Sequence, residues 1–200
     1  MHNNIWQGQR VRLRAIEPED WTAFSAFDLD SEVARDCYHV PFPKSQEASR
    51  KWAVDEARAE PKQDVFRFAI ENLEGELVGT LNTHSCEPRH GSFSYGIAIA
   101  REHWRKGYAS EAIWLVLRYY FQELRYQKAT VHVYAFNEPS LRLHEKLGFQ
   151  LEGRLRRMVY TRGAYHDVCV YGMTAEEHEA SQWDADPTDD RAAKKGSSAN

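Results

Sequence analysis

Residues 93–113 constrain the fold of this 200-residue chain more than any other stretch. Phe93 to Ala100 is a short apolar run that reads as a buried strand. A polar connection follows, and Arg105-Lys106-Gly107-Tyr108-Ala109-Ser110 opens onto a helical pattern. Ile113, Val116, Leu117, Tyr120, Phe121 and Leu124 recur with the spacing of one helix face. The segment is therefore strand, turn, helix, with small residues at the helix start. The first turn of a helix carries unpaired N–H groups at the positive end of its dipole. Gly107 lacks a Cβ, and those of Ala109 and Ser110 carry little, so a phosphate can approach the backbone there. Arg105 and Lys106 add positive charge beside it. Neither the P-loop spacing Gly-x-x-x-x-Gly-Lys-[Ser/Thr] nor the dinucleotide spacing Gly-x-Gly-x-x-Gly is present.

Composition narrows the classes that remain. The length suits one domain, and 42% hydrophobic content with 12% aromatics suits a globular core. A formal net charge of −4, without a basic block in the core, argues against nucleic acid as a partner. No apolar run approaches membrane-spanning length, and the N-terminus lacks a basic start followed by an apolar stretch. Cys37, Cys86 and Cys169 are widely spaced, which suits reduced thiols in a cytoplasmic protein and gives no metal spacing. The nine histidines form no helical His-x-x-x-His pair, so no structural metal is expected.

The remaining elements follow from local pattern. Residues 10–16 alternate as a half-buried strand, and Glu17-Pro18-Glu19-Asp20 opens a helix to about Phe27. Residues 28–44 read as irregular, ending in Pro41-Phe42-Pro43. Ser45 caps a helix over 45–59. Strands are expected at 65–71, 77–86, 93–100 and 128–134, with Gly75 in a hairpin turn. Asn137-Glu138-Pro139-Ser140 begins a helix to Leu147, with Gly148 as its C-terminal stop. Residues 149–159 and 165–173 form a last hairpin about Arg162-Gly163. The order predicts one mixed α/β sheet with helices on both faces. Residues 1–174 form the domain and 175–200 a mobile C-terminal tail.

The segment Asn137 to Phe149 starts just after a strand, as the Gly107 segment does. Two parallel strands each followed by a helix splay apart, and ligands bind in such openings. Together the motifs resemble the GCN5-related N-acetyltransferase (GNAT) superfamily, in the branch of ribosomal-protein N-terminal and polyamine acetyltransferases. The matching residues are Gly96-Ile97-Ala98-Ile99, then Trp104-Arg105-Lys106-Gly107-Tyr108-Ala109-Ser110-Glu111-Ala112. Asn137-x-x-Ser140, Glu145-Lys146-Leu147-Gly148-Phe149 and the last hairpin complete the match, over about residues 8–174.

The resemblance implies a mostly antiparallel sheet of six to seven strands with a V-shaped splay between two parallel central strands. It implies an acetyl-coenzyme A-dependent N-acetyltransferase in which a neutral primary amine attacks the thioester directly. The acceptor is then a protein N-terminus, a polyamine or another small amine. Backbone N–H groups of Arg105, Lys106, Gly107, Tyr108, Ala109 and Ser110 would hold the pyrophosphate. Backbone groups of Ile97, Ala98 and Ile99, at a bulge where the sheet splays, would pair with the pantetheine arm. Asn137 would bond the pantetheine or a bridging water, and Ser140 would sit near the sulfur. His144 stands where many relatives carry the tyrosine that protonates the leaving thiolate, and Trp104 where many carry Gln or Arg. Ser94 replaces a frequent Glu base, which directs attention to water chains toward Glu87, His84 or Asp167. Among the acidic residues Asp28, Asp30, Glu32, Asp36, Glu87 and Asp167, the last two are the expected substrate-binding pair for a cationic amine. A second reading is a non-catalytic acyl-coenzyme A sensor with the same fold. The aromatic content, six Trp and ten Tyr, and the last-hairpin strands are compatible with a homodimer.

Overall fold

The apolar runs assemble into one sheet in a computed structural model that describes residues 4–37 and 39–181. In chain order the elements are β1 (Val11–Arg14), α1 (Trp21–Leu29), α2 (Ser31–Cys37), α3 (Gln46–Ala57), β2 (Arg67–Asn72) and β3 (Leu77–Glu87). They continue with β4 (Ser92–Ile99), α4 (Tyr108–Gln122), β5 (Lys128–Tyr134), α5 (Glu138–Lys146), β6 (Gln150–Thr161), β7 (Ala164–Thr174) and α6 (Ala175–Ala180). Among the described residues, seven strands lie in the order β1-β2-β3-β4-β5-β7-β6. Every neighbouring pair is antiparallel except β4 and β5.

That exception positions the site. The parallel ladder covers only Ser92–Ser94 against Lys128–Thr130. Beyond it, Tyr95 to Ile99 keeps β3 on one side and, among the described residues, has no strand on the other. A parallel pair needs a crossover connection, here α4, and the helix leaves from the end at which the strands part.

α4 carries the core. Its buried residues include Ile113, Leu115, Val116, Leu117, Tyr120 and Phe121. Phe93 stacks on Tyr120 with ring centroids 4.2 Å apart, and the Tyr120 hydroxyl lies 2.7 Å from Thr83 Oγ1. α5 covers the same face farther along, where His144 and Phe149 meet Tyr95. α1, α2 and α3 lie on the opposite face, over the β3–β4 pair Thr80 and Ala98.

Four local expectations change. Residues 28–44 are not wholly irregular: Ser31–Cys37 is helical, because Asp30 Oδ1 accepts the Glu32 and Val33 amides and Val33 is buried. The opening turn at Pro18–Asp20 is a 3₁₀ turn, and α1 runs on to Leu29. The bulge expected at Ile97–Ile99 is elsewhere. Register with β3 is continuous from Ile99 to Ser94 and shifts between His84 and Glu87, where Ser85 has φ +49°. Regular structure also passes residue 174, since Thr174 and Glu177 form a reciprocal cap for α6. His178 on that helix stacks on Trp114 at 3.9 Å. The rest of the expected tail, residues 182–200, lies outside the described residues. Arg162 and Gly163 both adopt positive φ, as a two-residue hairpin turn requires.

Candidate active site

The parted end of β4, with the starts of α4 and α5, borders a cleft of about 440 Å³. Ile97, Ala98, Ile99, Arg105, Gly107, Tyr108, Ala109, Ser110, Asn137 and Ser140 all line it. So of the residues expected to hold a coenzyme only Lys106 is absent from the wall, and its Nζ lies 3.3 Å from His103 Nδ1. Two separate sequence motifs thus meet across one opening.

The strand presents its main chain to the cleft in alternation. Ile97 and Ile99 point their carbonyls away from β3: Cys37 Sγ lies 3.9 Å from Ile97 O, and Trp104 Nε1 donates to Ile99 O at 2.7 Å. Main-chain groups of successive strand residues face opposite sides, so Ala98 is out of phase and offers the cleft its methyl group. The Trp104 indole holds the strand end where the turn begins. Burial and the Asp36 charge push the Cys37 thiol up to about 11, so it is a neutral thiol at neutral pH.

The turn itself is built from unusual backbone. Arg105 has φ +62° and Gly107 φ +82°. The positive φ at Gly107 favours glycine; a Cβ there would lie 2.7 Å from Arg10 Nη1, so the end of that flexible side chain would have to shift. Arg10 Nη1 donates to Lys106 O at 2.8 Å. One turn into α4, Glu111 is buried and accepts the amides of Gln9, Arg10 and Val11 at 2.9, 2.7 and 2.7 Å. The start of the chain is thereby fastened to the turn. Sequence alone assigns no role to Arg10, or to Glu111 beyond its place in the matched motif; the available signal is a carboxylate on an otherwise apolar helix face.

Asn137 caps α5: its Oδ1 accepts the Ser140 amide at 3.0 Å, and its Nδ2 donates to Asp36 O at 3.2 Å. One amide hydrogen and one lone pair are then left for another partner. Ser140 Oγ is 3.4 Å from His144 Nδ1. His144 sits behind it, buried and outside the cleft wall. Its Nδ1 is 2.8 Å from Ser140 O and its Nε2 3.0 Å from the Tyr95 hydroxyl. A carbonyl only accepts, so Nδ1 carries the proton and Tyr95 donates to Nε2. Burial pushes this imidazole down to about 4, so it is neutral at neutral pH. Both ring nitrogens are engaged, which suits positioning of the first turn of α5 better than proton donation to a ligand. Tyr95, fully enclosed, is held well above the usual phenol value.

The expected acceptor residues fall elsewhere. Glu87 pairs with Ser92, at the opposite end of β4 from Ile97, roughly 17 Å along the strand. Asp167 accepts Arg154 Nε at 2.7 Å and the Arg157 amide at 2.9 Å, which keeps its carboxyl below the usual range. It serves as an acceptor for the irregular stretch Leu155–Val159 of β6. Asp28, Asp30 and Glu32 pair with Lys44, Arg101 and Arg35 respectively. Asp36 lines the cleft, and burial raises its carboxyl. Ser94 is buried between His84 and Thr130 in the ladder. The His84 imidazole is held down by burial and by His132. Among the described residues, no three His, Cys, Asp or Glu side chains group to hold a metal, and no helix is long and apolar enough to cross a membrane.

Known proteins resemble this chain in sequence and in fold. The SPbeta prophage-derived uncharacterized N-acetyltransferase YokL of Bacillus subtilis is 42% identical over 174 residues, covering 87% of this chain and 95% of YokL. A solved GNAT-family acetyltransferase from Bacillus anthracis superposes with a TM-score of 0.72 at 25% identity, covering 85% of this chain and 98% of its own. Spermidine N-acetyltransferase from Vibrio cholerae, solved in complex with CoA and spermine, superposes with a TM-score of 0.73, covering 84% and 98%. At 24% identity that likeness concerns the fold. The acetyltransferase (GNAT) domain model matches residues 10–150, from the arginine on the Gly107 turn through the splayed strands to the far side of α5. With the sheet, the splay and the two motifs in their places, this chain belongs to the GNAT acetyltransferase family.

Proposed function

We propose that the protein transfers the acetyl group of acetyl-coenzyme A to a primary amine by direct attack in a ternary complex. The observation that carries this reading is the unpaired stretch of β4 beyond Ser94, opening beside the Arg105–Ser110 turn in one cleft. In this reading the turn's N–H groups take the pyrophosphate at the N-terminus of α4. The Ile97 and Ile99 main chains pair with the pantetheine arm and donate to the developing oxyanion.

The amine nitrogen attacks the carbonyl carbon, a C–N bond forms, and the C–S bond breaks. The leaving thiolate is protonated and the ammonium nitrogen loses a proton, so the products are an amide and free coenzyme A. In this reading Ser140, a hydroxyl of the cleft wall, passes the proton to sulfur, and His144 is its positioning residue. With Ser94 where a carboxylate base would stand, the amine enters deprotonated from solvent.

The Ser94 position favours one second reading, an acyl-coenzyme A sensor without turnover. Thiol release from acetyl-coenzyme A with a panel of primary amines separates the two. Release that needs both substrates supports the transferase; binding of the coenzyme without release under any amine supports the sensor. We further propose a homodimer through β6, an outer strand that exposes Leu151, Met158 and Tyr160. A monomeric mass in sedimentation would refute it.

A further inference from the structure

A second cavity, of about 320 Å³, lies between the sheet and helices α1 to α3. Its existence follows from a mismatch of sizes. The sheet contributes the small cross-strand pair Thr80 and Ala98 as a floor. Phe24, Phe27 and Trp52 form the opposite wall, packed edge to face with Phe24 centroids 5.8 Å from Phe27 and 4.9 Å from Trp52. Small side chains under large rigid ones leave space that neither can fill. α1 shows the consequence: its sequence Trp-Thr-Ala-Phe-Ser-Ala-Phe-Asp-Leu is mostly apolar, yet none of its residues is buried.

The cavity adjoins the cleft described above. Val33, Cys37 and Ala98 line both. Ala98 sits between Ile97 and Ile99, whose main chains face the coenzyme side. A group entering the cavity therefore ends within one residue of the strand that would hold the thioester.

The lining also selects. Its charged groups are Asp28, paired with Lys44 at 2.8 Å, and Arg67, paired with Glu56 at 3.4 Å. A wall whose one carboxylate is already paired offers a polycation no free counter-charge. Aromatic faces receive a flat apolar body. Within the wall, Ser25 Oγ is buried and has no hydrogen-bond partner. A buried hydroxyl without a partner is costly, and a polar substituent on a ligand would satisfy it.

We propose that this cavity is the acceptor pocket, and that the acceptor is a primary amine carried on an aromatic or compact apolar body. The proposal rests on the acetyltransferase reading and narrows its substrate class. The amine lies at the Ala98 end, where its nitrogen meets the thioester carbon, and the body lies between Phe24, Phe27 and Trp52.

The test uses the full chain with 2-phenylethylamine, tyramine, spermidine and an alanyl peptide. Calorimetric binding of each amine is measured with coenzyme A present, and turnover is followed by thiol release. Ala34→Trp fills the cavity without touching the coenzyme cleft, and Ser25→Leu is a milder second variant. The expected result is that the arylalkylamines bind and exceed spermidine in kcat/KM by 10-fold or more. Each variant then weakens arylalkylamine binding by 10-fold or more and leaves KM for acetyl-coenzyme A unchanged. Turnover of spermidine or peptide but not of arylalkylamines overturns the pocket and leaves the acetyltransferase reading intact. Arylalkylamine binding that Ala34→Trp abolishes, without turnover of any amine, overturns the acceptor role and supports the sensor reading. Absence of arylalkylamine binding overturns the proposal.

Discussion

The Tyr95 hydroxyl lies 3.0 Å from His144 Nε2, inside the core and directly behind the first turn of α5. The pair fixes the imidazole as the Nδ1–H tautomer, which donates to Ser140 O. The folded protein thus holds a neutral histidine with a pKa near 4, against 6.5 when unfolded. Between those values the unfolded chain binds a proton that the fold does not. The resulting stability is fully present above pH 6.5 and is lost as pH falls toward 4, by up to about 3 kcal/mol. Urea midpoints at pH 7 and pH 5 check this. His144→Gln should lower the midpoint at pH 7 and flatten the pH dependence in that window.

Glu111 joins the first strand to the turn before α4 through three amide hydrogen bonds, one of them to the buried Val11. Glu111→Ala leaves those donors without the carboxylate, so a loss of about 3 kcal/mol is expected. Chemical denaturation measures it. Glu111→Gln, which keeps one acceptor oxygen, should lose less.

Gly107 combines φ +82° with the Arg10 guanidinium where a Cβ would stand. Gly107→Ala should cost about 1–2 kcal/mol from backbone conformation alone. Because the change reshapes the proposed pyrophosphate turn, KM for acetyl-coenzyme A should rise by 10-fold or more. The amine KM should stay constant, and steady-state kinetics with each substrate varied separates the two.

Among the described residues, Ser140 is the one hydroxyl shared by the cleft wall and the His144 contact. If it relays the proton to sulfur, Ser140→Ala lowers kcat by about 100-fold. Ser140→Thr keeps the hydroxyl and should retain most of the rate. Equal kcat in wild type and Ser140→Ala would remove the role.

The strands and the two helices that open the site were legible because each carries a strong local signal. The Phe93–Ala100 run, the Gly107 turn and the Asn137 cap all reappear in place. α2 was missed because its cap is Asp30 and its one buried residue is Val33, too little periodicity for a pattern. The bulge was misplaced because register depends on which residue faces which across two strands; a single strand does not encode that. Glu87 and Asp167 are expected at the acceptor side from their charge and from their place in the 84–92 turn and the last hairpin. Their use depends on partners distant in sequence, namely the Ser92 end of β4 and the Arg154 guanidinium. The same applies to Arg10 and Glu111, whose contacts span about a hundred residues of chain.

The central claim is that acetyl-coenzyme A occupies the splay between β4 and β5 with its pyrophosphate on the Gly107 turn. The most direct measurement is the melting temperature of wild type and Gly107→Glu with acetyl-coenzyme A at about 100 times its Kd. Binding at that excess adds roughly 2.7 kcal/mol, about 5–10 °C for a chain of this size. The account predicts that rise in the wild type and its loss in Gly107→Glu, with ATP and NADH giving none. No rise with acetyl-coenzyme A, or an equal rise in the variant, would contradict it.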